Sequence, residues 1–213
     1  MDKPNEFYVG VLDLFGILLP GAVAAALLEP RIGDLIFGSL VSRPSSEPAK
    51  WAAFLVIAYF LGHLIFLLGS CLDPWYNKLR ERFDPYDDKS AYQAATSIRD
   101  SILTEQERKP LNTFQWARAV LLAKCPAAAQ DVHRLEADSK FFRSLLVVSA
   151  LAALLFFIRG SVIEGALAVL LVVPCFARYY ERRLKSTTQA YIHVVTLHRT
   201  GGLVREPKPK SDA

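Results

Sequence analysis

Asp13 and His63 are the two ionisable side chains that lie deep inside otherwise apolar stretches of this 213-residue chain. A carboxylate and an imidazole together can share a proton, hold an ion or bind a polar headgroup. In an apolar medium each costs roughly 3 kcal/mol to insert, so each needs a partner or water. Tyr59 and Ser70 share a helical face with His63, at i−4 and i+7. The pair has three readings: a hydrogen bond that fixes how two helices pack, a polar site for a proton, ion or headgroup, and catalysis. The packing reading ranks first, because an Asp and a His without a nucleophile do not make an active site.

Other chemistry is not encoded in recognisable form. The sequence contains no G-x-S-x-G, H-E-x-x-H, Walker or Rossmann pattern. Cys71, Cys125 and Cys175 are odd in number and far apart, so they read as small apolar residues, not as disulfides or metal ligands. No catalytic residue, no metal site and no cofactor is expected.

The elements that hold Asp13 and His63 come from the distribution of apolar residues. These make up 52% of the chain and fall into four blocks: Phe7–Leu28, Trp51–Leu72, Phe141–Ile158 and Val162–Ala177. Each is apolar all round, unlike the one-sided pattern of a soluble helix. About 20 apolar residues cross a bilayer as a helix, and lipid tolerates no open structure with unpaired backbone groups. The blocks therefore read as four transmembrane helices. By helical rise, Asp13 sits about 9–10 Å and His63 about 13 Å from the inner ends of their spans, so contact between them is feasible. The third and fourth blocks are short, at about 27 and 24 Å against a hydrocarbon thickness near 30 Å. Bilayer thinning or packing in an oligomer accommodates that difference; alternatively this hairpin does not fully cross, and the long cytosolic helices stay cytosolic.

Charge sets the direction. With the N-terminus inside, 21 of the 25 Lys and Arg lie on the inner side, and only Arg31, Arg43, Lys50 and Arg159 lie outside. The positive-inside rule then places both termini of a multi-pass membrane protein in the cytoplasm. MDKPNE has no basic n-region and no A-x-A site follows, so the first span reads as retained.

Residues 1–72 form an N-terminal membrane hairpin, with a short outer interfacial helix over 31–42 that places Ile32, Leu35, Ile36 and Leu40 on one face, the alternative being a hydrophobic loop that plugs the bundle. Pro20-Gly21 in the first span can kink it or admit a close neighbour. Residues 73–140 form a cytosolic helical region, in which Trp75 and Tyr76 mark the inner interface. One helix is expected from Asp88 or Ser90 to about Arg108, with a stripe of Ala94, Ile98 and Ile102. Another is expected from an N-cap at Thr113, with Phe114, Ala117, Val120 and Leu121 on one face.

A helix without a breaker follows over Pro126–Ile158. Residues 141–177 form the second membrane hairpin, turning at Arg159-Gly160. The return helix runs from Ser161 to about His198, with Pro174 inside it. Residues 178–213 are a cytosolic helix and a charged tail. Ala128, Val132, Leu135, Ser139 and Phe142 repeat at 4-3-4-3, as do Tyr180, Leu184, Thr187, Tyr191 and Val194. That is the seam of an extended antiparallel helical hairpin, in which Glu136 and Asp138 face Arg182, Arg183 and Lys185. Arg178, Arg182, Arg183 and Lys185 also form an inner-leaflet basic cluster suited to anionic headgroups or simply to topology. No nucleic-acid partner is expected, since the nearby aromatics fall on the seam and not beside the basic residues.

The fold class is all-α: an integral membrane protein with four transmembrane helices, one outer interfacial helix and a cytosolic helical region. The layout resembles the small multi-spanning proteins of bacterial defence and toxin operons, with short outer loops and a cytosolic helical regulatory part. That resemblance implies a non-enzymatic homo-oligomer in the bacterial inner (plasma) membrane, whose cytosolic helices dock a soluble protein or sense a signal. Its output is membrane perturbation, as in an antiviral effector, or recruitment. The alternatives are a small ion or proton channel using Asp13 and His63, and a membrane enzyme acting on lipid.

Overall fold

The computed structural model describes residues 16–28, 46–83 and 86–203, apart from the side chains at 81, 83 and 86–89. Asp13, the expected interfacial helix over 31–42 and the tail beyond 203 lie outside the described residues. Among those described, every regular element is helical. They are α1 (Gly16–Leu28), α2 (Glu47–Ser70), α3 (Asp73–Phe83), α4 (Tyr86–Ile102), α5 (Glu105–Arg108), α6 (Thr113–Lys124), α7 (Pro126–Ile158) and α8 (Val162–Arg199). Three helical stretches, Glu47–Arg80, α7 and α8, are long and apolar enough to cross a membrane. Only 22%, 33% and 17% of their most apolar stretches are buried within the chain, so most of that surface needs an apolar surround.

The chain divides into two units. The first comprises residues 1–82 and 134–183. Its helices meet through small residues. A Cβ placed on Gly21 would lie 1.8 Å from the Ala58 carbonyl oxygen, and one on Gly62 would lie 2.2 Å from that of Ile17. So α1 and α2 cross in backbone contact, the close approach that Pro20-Gly21 suggested. Ala24, Ile65 and Val148 bring in α7, and Ala152 and Ala153 meet Ala168 of α8. Arg159 donates to the Leu27 carbonyl at 3.0 Å, which satisfies an acceptor at the end of α1.

Two chain breaks in this unit have local causes. Between α2 and α3, Cys71 and Leu72 donate to Leu68 and Gly69, tightening one turn. Pro74 has no N–H to offer Ser70, so the α-ladder lapses at Cys71 and Leu72 and resumes with Tyr76 donating to Leu72. Between α7 and α8, Gly160 takes φ +79, Ser161 donates to Phe156 and Gly160 to Phe157. This is a Schellman ending, and the left-handed residue it requires favours glycine.

The second unit comprises residues 83–133 and 184–213. Its core packs Ala95 of α4, Trp116, Ala117 and Leu121 of α6, Ala129 and Val132 of α7, and Ala190, Tyr191 and Val194 of α8. Two sequence expectations are corrected here. The helix expected to reach Arg108 stops at Ile102, because Thr104 starts a new turn by donating its N–H to the Glu107 carboxylate at 2.8 Å. The N-cap of α6 is Asn112, not Thr113. Asn112 Oδ1 accepts from Gln115 N at 2.8 Å while Gln115 Oε1 accepts from Asn112 N at 3.2 Å. Thr113 is instead buried, receiving Arg99 Nη1 and lying 3.1 Å from the Thr96 hydroxyl. Arg99 also hydrogen-bonds Asp100 and, with Arg108 nearby, holds its carboxyl below the usual range.

Candidate functional site

The residues with the most organised polar chemistry gather around Asp73, in the first unit. Asp73 opens α3, one residue past the apolar run that ends at Leu72. Arg143 of α7 donates Nη1 to both carboxylate oxygens, at 3.0 and 3.1 Å. Tyr179 of α8 donates its hydroxyl to Asp73 Oδ1 at 2.9 Å. Arg183, one turn further along α8, donates Nη1 to the same oxygen and to the Tyr179 hydroxyl. One carboxylate thus ties three helices, and two guanidiniums leave the cluster with a net positive charge.

Apolar and aromatic groups enclose this cluster. Arg143 is only 6% exposed, and its guanidinium lies 4.8 Å from the centre of the Phe66 ring. A Cβ on Gly69 would press on the Arg143 side chain at 3.2 Å, so the glycine makes room for it. Tyr76, three residues after Asp73 and on the same face of α3, is fully buried between Tyr179 and Tyr180. The Arg183 guanidinium lies 4.5 Å from the centre of the Tyr76 ring, within cation–π range. Of the two aromatics expected at the inner interface, Trp75 is exposed and Tyr76 is not. In the same unit a cleft of about 200 Å³ is lined by Gly16, Ile17, Phe66, Ala137 and Lys140.

The residues singled out in the sequence are distributed as follows. His63 is exposed on α2, and its ring meets that of Tyr59 edge-on at 4.6 Å between centroids. Its expected partner Asp13 lies outside the described residues. In the basic cluster, Arg178 pairs with Glu181 at 2.8 Å, Arg182 with Asp138 at 3.8 Å, and Arg183 joins Asp73. Lys185 is exposed in the second unit. Glu136 pairs along its own helix with Lys140 at 3.4 Å.

Sequence reasoning missed Asp73 as the centre of a site. A usable signal existed: Asp73 directly follows an apolar run and Arg143 stands three residues into another, both at inner ends on the expected topology. Opposite charges at one depth are candidates for pairing. Chemically, three donors converge on the Asp73 carboxylate, which suits it to clamping helices. No protein-family model, curated protein or solved structure matches the chain.

Proposed function

We propose that the protein is a non-enzymatic component of the bacterial inner membrane that couples a cytosolic helical unit to its transmembrane helices. It crosses the bilayer four times with both termini in the cytoplasm, as the charge asymmetry favours. Its second unit docks a soluble protein or responds to a cytosolic signal. The observation that carries this reading is the continuity of α7 and α8. Each runs without interruption from an apolar stretch into the polar unit, over 33 and 38 residues. An unbroken helix transmits a displacement along its axis, whereas a flexible linker does not. The clamp on Asp73 adds to this, since it fastens α3 to both long helices at the inner end of the apolar run.

The second unit also presents apolar side chains to solvent: Tyr92, Leu122 and Ile192. Quantitative co-purification of the full chain from its native membranes tests the reading. A soluble protein recovered with the wild type is expected to fall at least tenfold with Leu122→Glu or Ile192→Glu, and to persist with His63→Ala. A channel gives the opposite pattern: ion flux in vesicles that His63→Ala abolishes, with no partner lost from either glutamate variant.

A further inference from the structure

The exposed side of α2 carries a polar group that nothing in the described chain satisfies. The buried face of α2 is Ala58, Gly62, Ile65 and Gly69. Opposite it, Val56, Phe60, His63, Leu67 and Ser70 repeat at 4-3-4-3 and all are exposed. This is a second heptad seam, pointing away from the chain's own core. Ser70 is satisfied by the Leu67 carbonyl at 2.5 Å. His63 has only the edge-on contact with Tyr59, itself 43% exposed, and no hydrogen bond among the described residues. Lipid offers an imidazole neither donor nor acceptor, so its polar atoms favour burial against protein.

We infer that this seam is a parallel dimer interface between two copies of the chain, with His63 at its centre. The occupant follows from complementarity. Copies in one membrane share an orientation, so a two-fold axis along the seam sets His63 opposite His63. A neutral imidazole carries one N–H donor and one bare nitrogen acceptor, so two of them can hydrogen-bond each other with no further group. Tyr59 lies one turn away on the same face of both copies and can accept or donate in turn. The flanking Val56, Phe60 and Leu67 supply the apolar knobs. A single polar residue in such a seam sets register and copy number, here two. This inference rests on α2 crossing the membrane, as proposed above.

Oxidative cross-linking of the full chain in vesicles tests it, with Cys71, Cys125 and Cys175 replaced by serine and single cysteines introduced along α2. Disulfide-linked dimers are expected at Val56→Cys, Phe60→Cys and Leu67→Cys. They are not expected at Leu55→Cys or Leu68→Cys, which are exposed but flank the seam. Replacing His63 by leucine is expected to weaken association roughly tenfold, and glutamine is expected to preserve it, since one interhelical hydrogen bond is at stake. Cross-links of equal strength at all five positions, or none at the seam, overturn the interface. A seam pattern that His63→Leu leaves unchanged overturns the role of His63. Rapid labelling of Phe60→Cys by a membrane-impermeant maleimide instead removes the spanning reading on which the inference stands.

Discussion

Replacing Asp73 by alanine is expected to lower the stability of the first unit by about 3 kcal/mol. Removing one partner of a buried ion pair costs roughly 3–5 kcal/mol, because the other charge stays buried without compensation. Here that charge is Arg143, whose side chain is 7% exposed and stacked on Phe66. The Asp73 side chain is 33% exposed and that of Arg183 27%, so solvent screens part of the loss and the lower end of the range applies. Thermal unfolding in detergent measures it. Asp73→Asn keeps an acceptor for Tyr179 and is expected to cost less. Combining Asp73→Leu with Arg143→Met is expected to recover at least half of the loss, since no unpaired charge then remains at the pair's buried end. Equal losses from the single and double variants would contradict the clamp as an ion pair.

The second large effect is expected at the crossing of α1 and α2. Gly21→Leu places new atoms where the Ala58 carbonyl already sits, and even Gly21→Ala puts its Cβ 1.8 Å from that oxygen and 2.7 Å from Gly62 N. Backbone cannot rotate aside as a long side chain can, so the two helices must separate. Overpacking costs about 1–3 kcal/mol in an ordinary core, and a backbone collision exceeds that, so loss of the native crossing is expected for Gly21→Leu. Gly62→Ala meets the Ile17 carbonyl at 2.2 Å and behaves alike. Gly16→Ala is the control, since its nearest neighbour is Phe141 Cβ at 4.0 Å. Folded yield in mild detergent separates them: near wild type for Gly16→Ala, and several-fold lower for Gly21→Leu and Gly62→Ala.

What the sequence disclosed follows from which signals are local. The limits of α7 at Pro126 and Ile158 were legible because a first-turn proline starts it and Arg159-Gly160 ends it. The close approach at Gly21 is one of the two arrangements that a Pro-Gly pair inside an apolar run offers, the other being a kink. Thr104 to Glu107 spells the capping box that breaks the helix there, but the helix-favouring run Glu105 to Arg108 reads equally well as a continuation of α4. Asn112 and Thr113 are both cap-forming residue types, and the Gln three residues after Asn112 marks Asn112 as the cap. The expected face of α6, Phe114, Ala117, Val120 and Leu121, packs into the core of the second unit, and Trp116 beside it joins the same core. The cluster on Asp73 draws on residues up to 110 positions apart. Sequence arithmetic assigns each a depth along its helix, but not the rotation that aims it at a neighbour.

On the proposed topology α7 and α8 carry the chain across a membrane and back into a cytosolic unit. The most direct measurement is side-specific labelling of single cysteines in right-side-out and inverted membrane vesicles, using an impermeant maleimide. Val162→Cys marks the start of α8 beside the turn at Gly160, and Leu122→Cys marks the second unit; both positions are exposed. The account predicts that Val162→Cys reacts only in right-side-out vesicles and Leu122→Cys only in inverted ones. Reaction of both positions from the same side would contradict it.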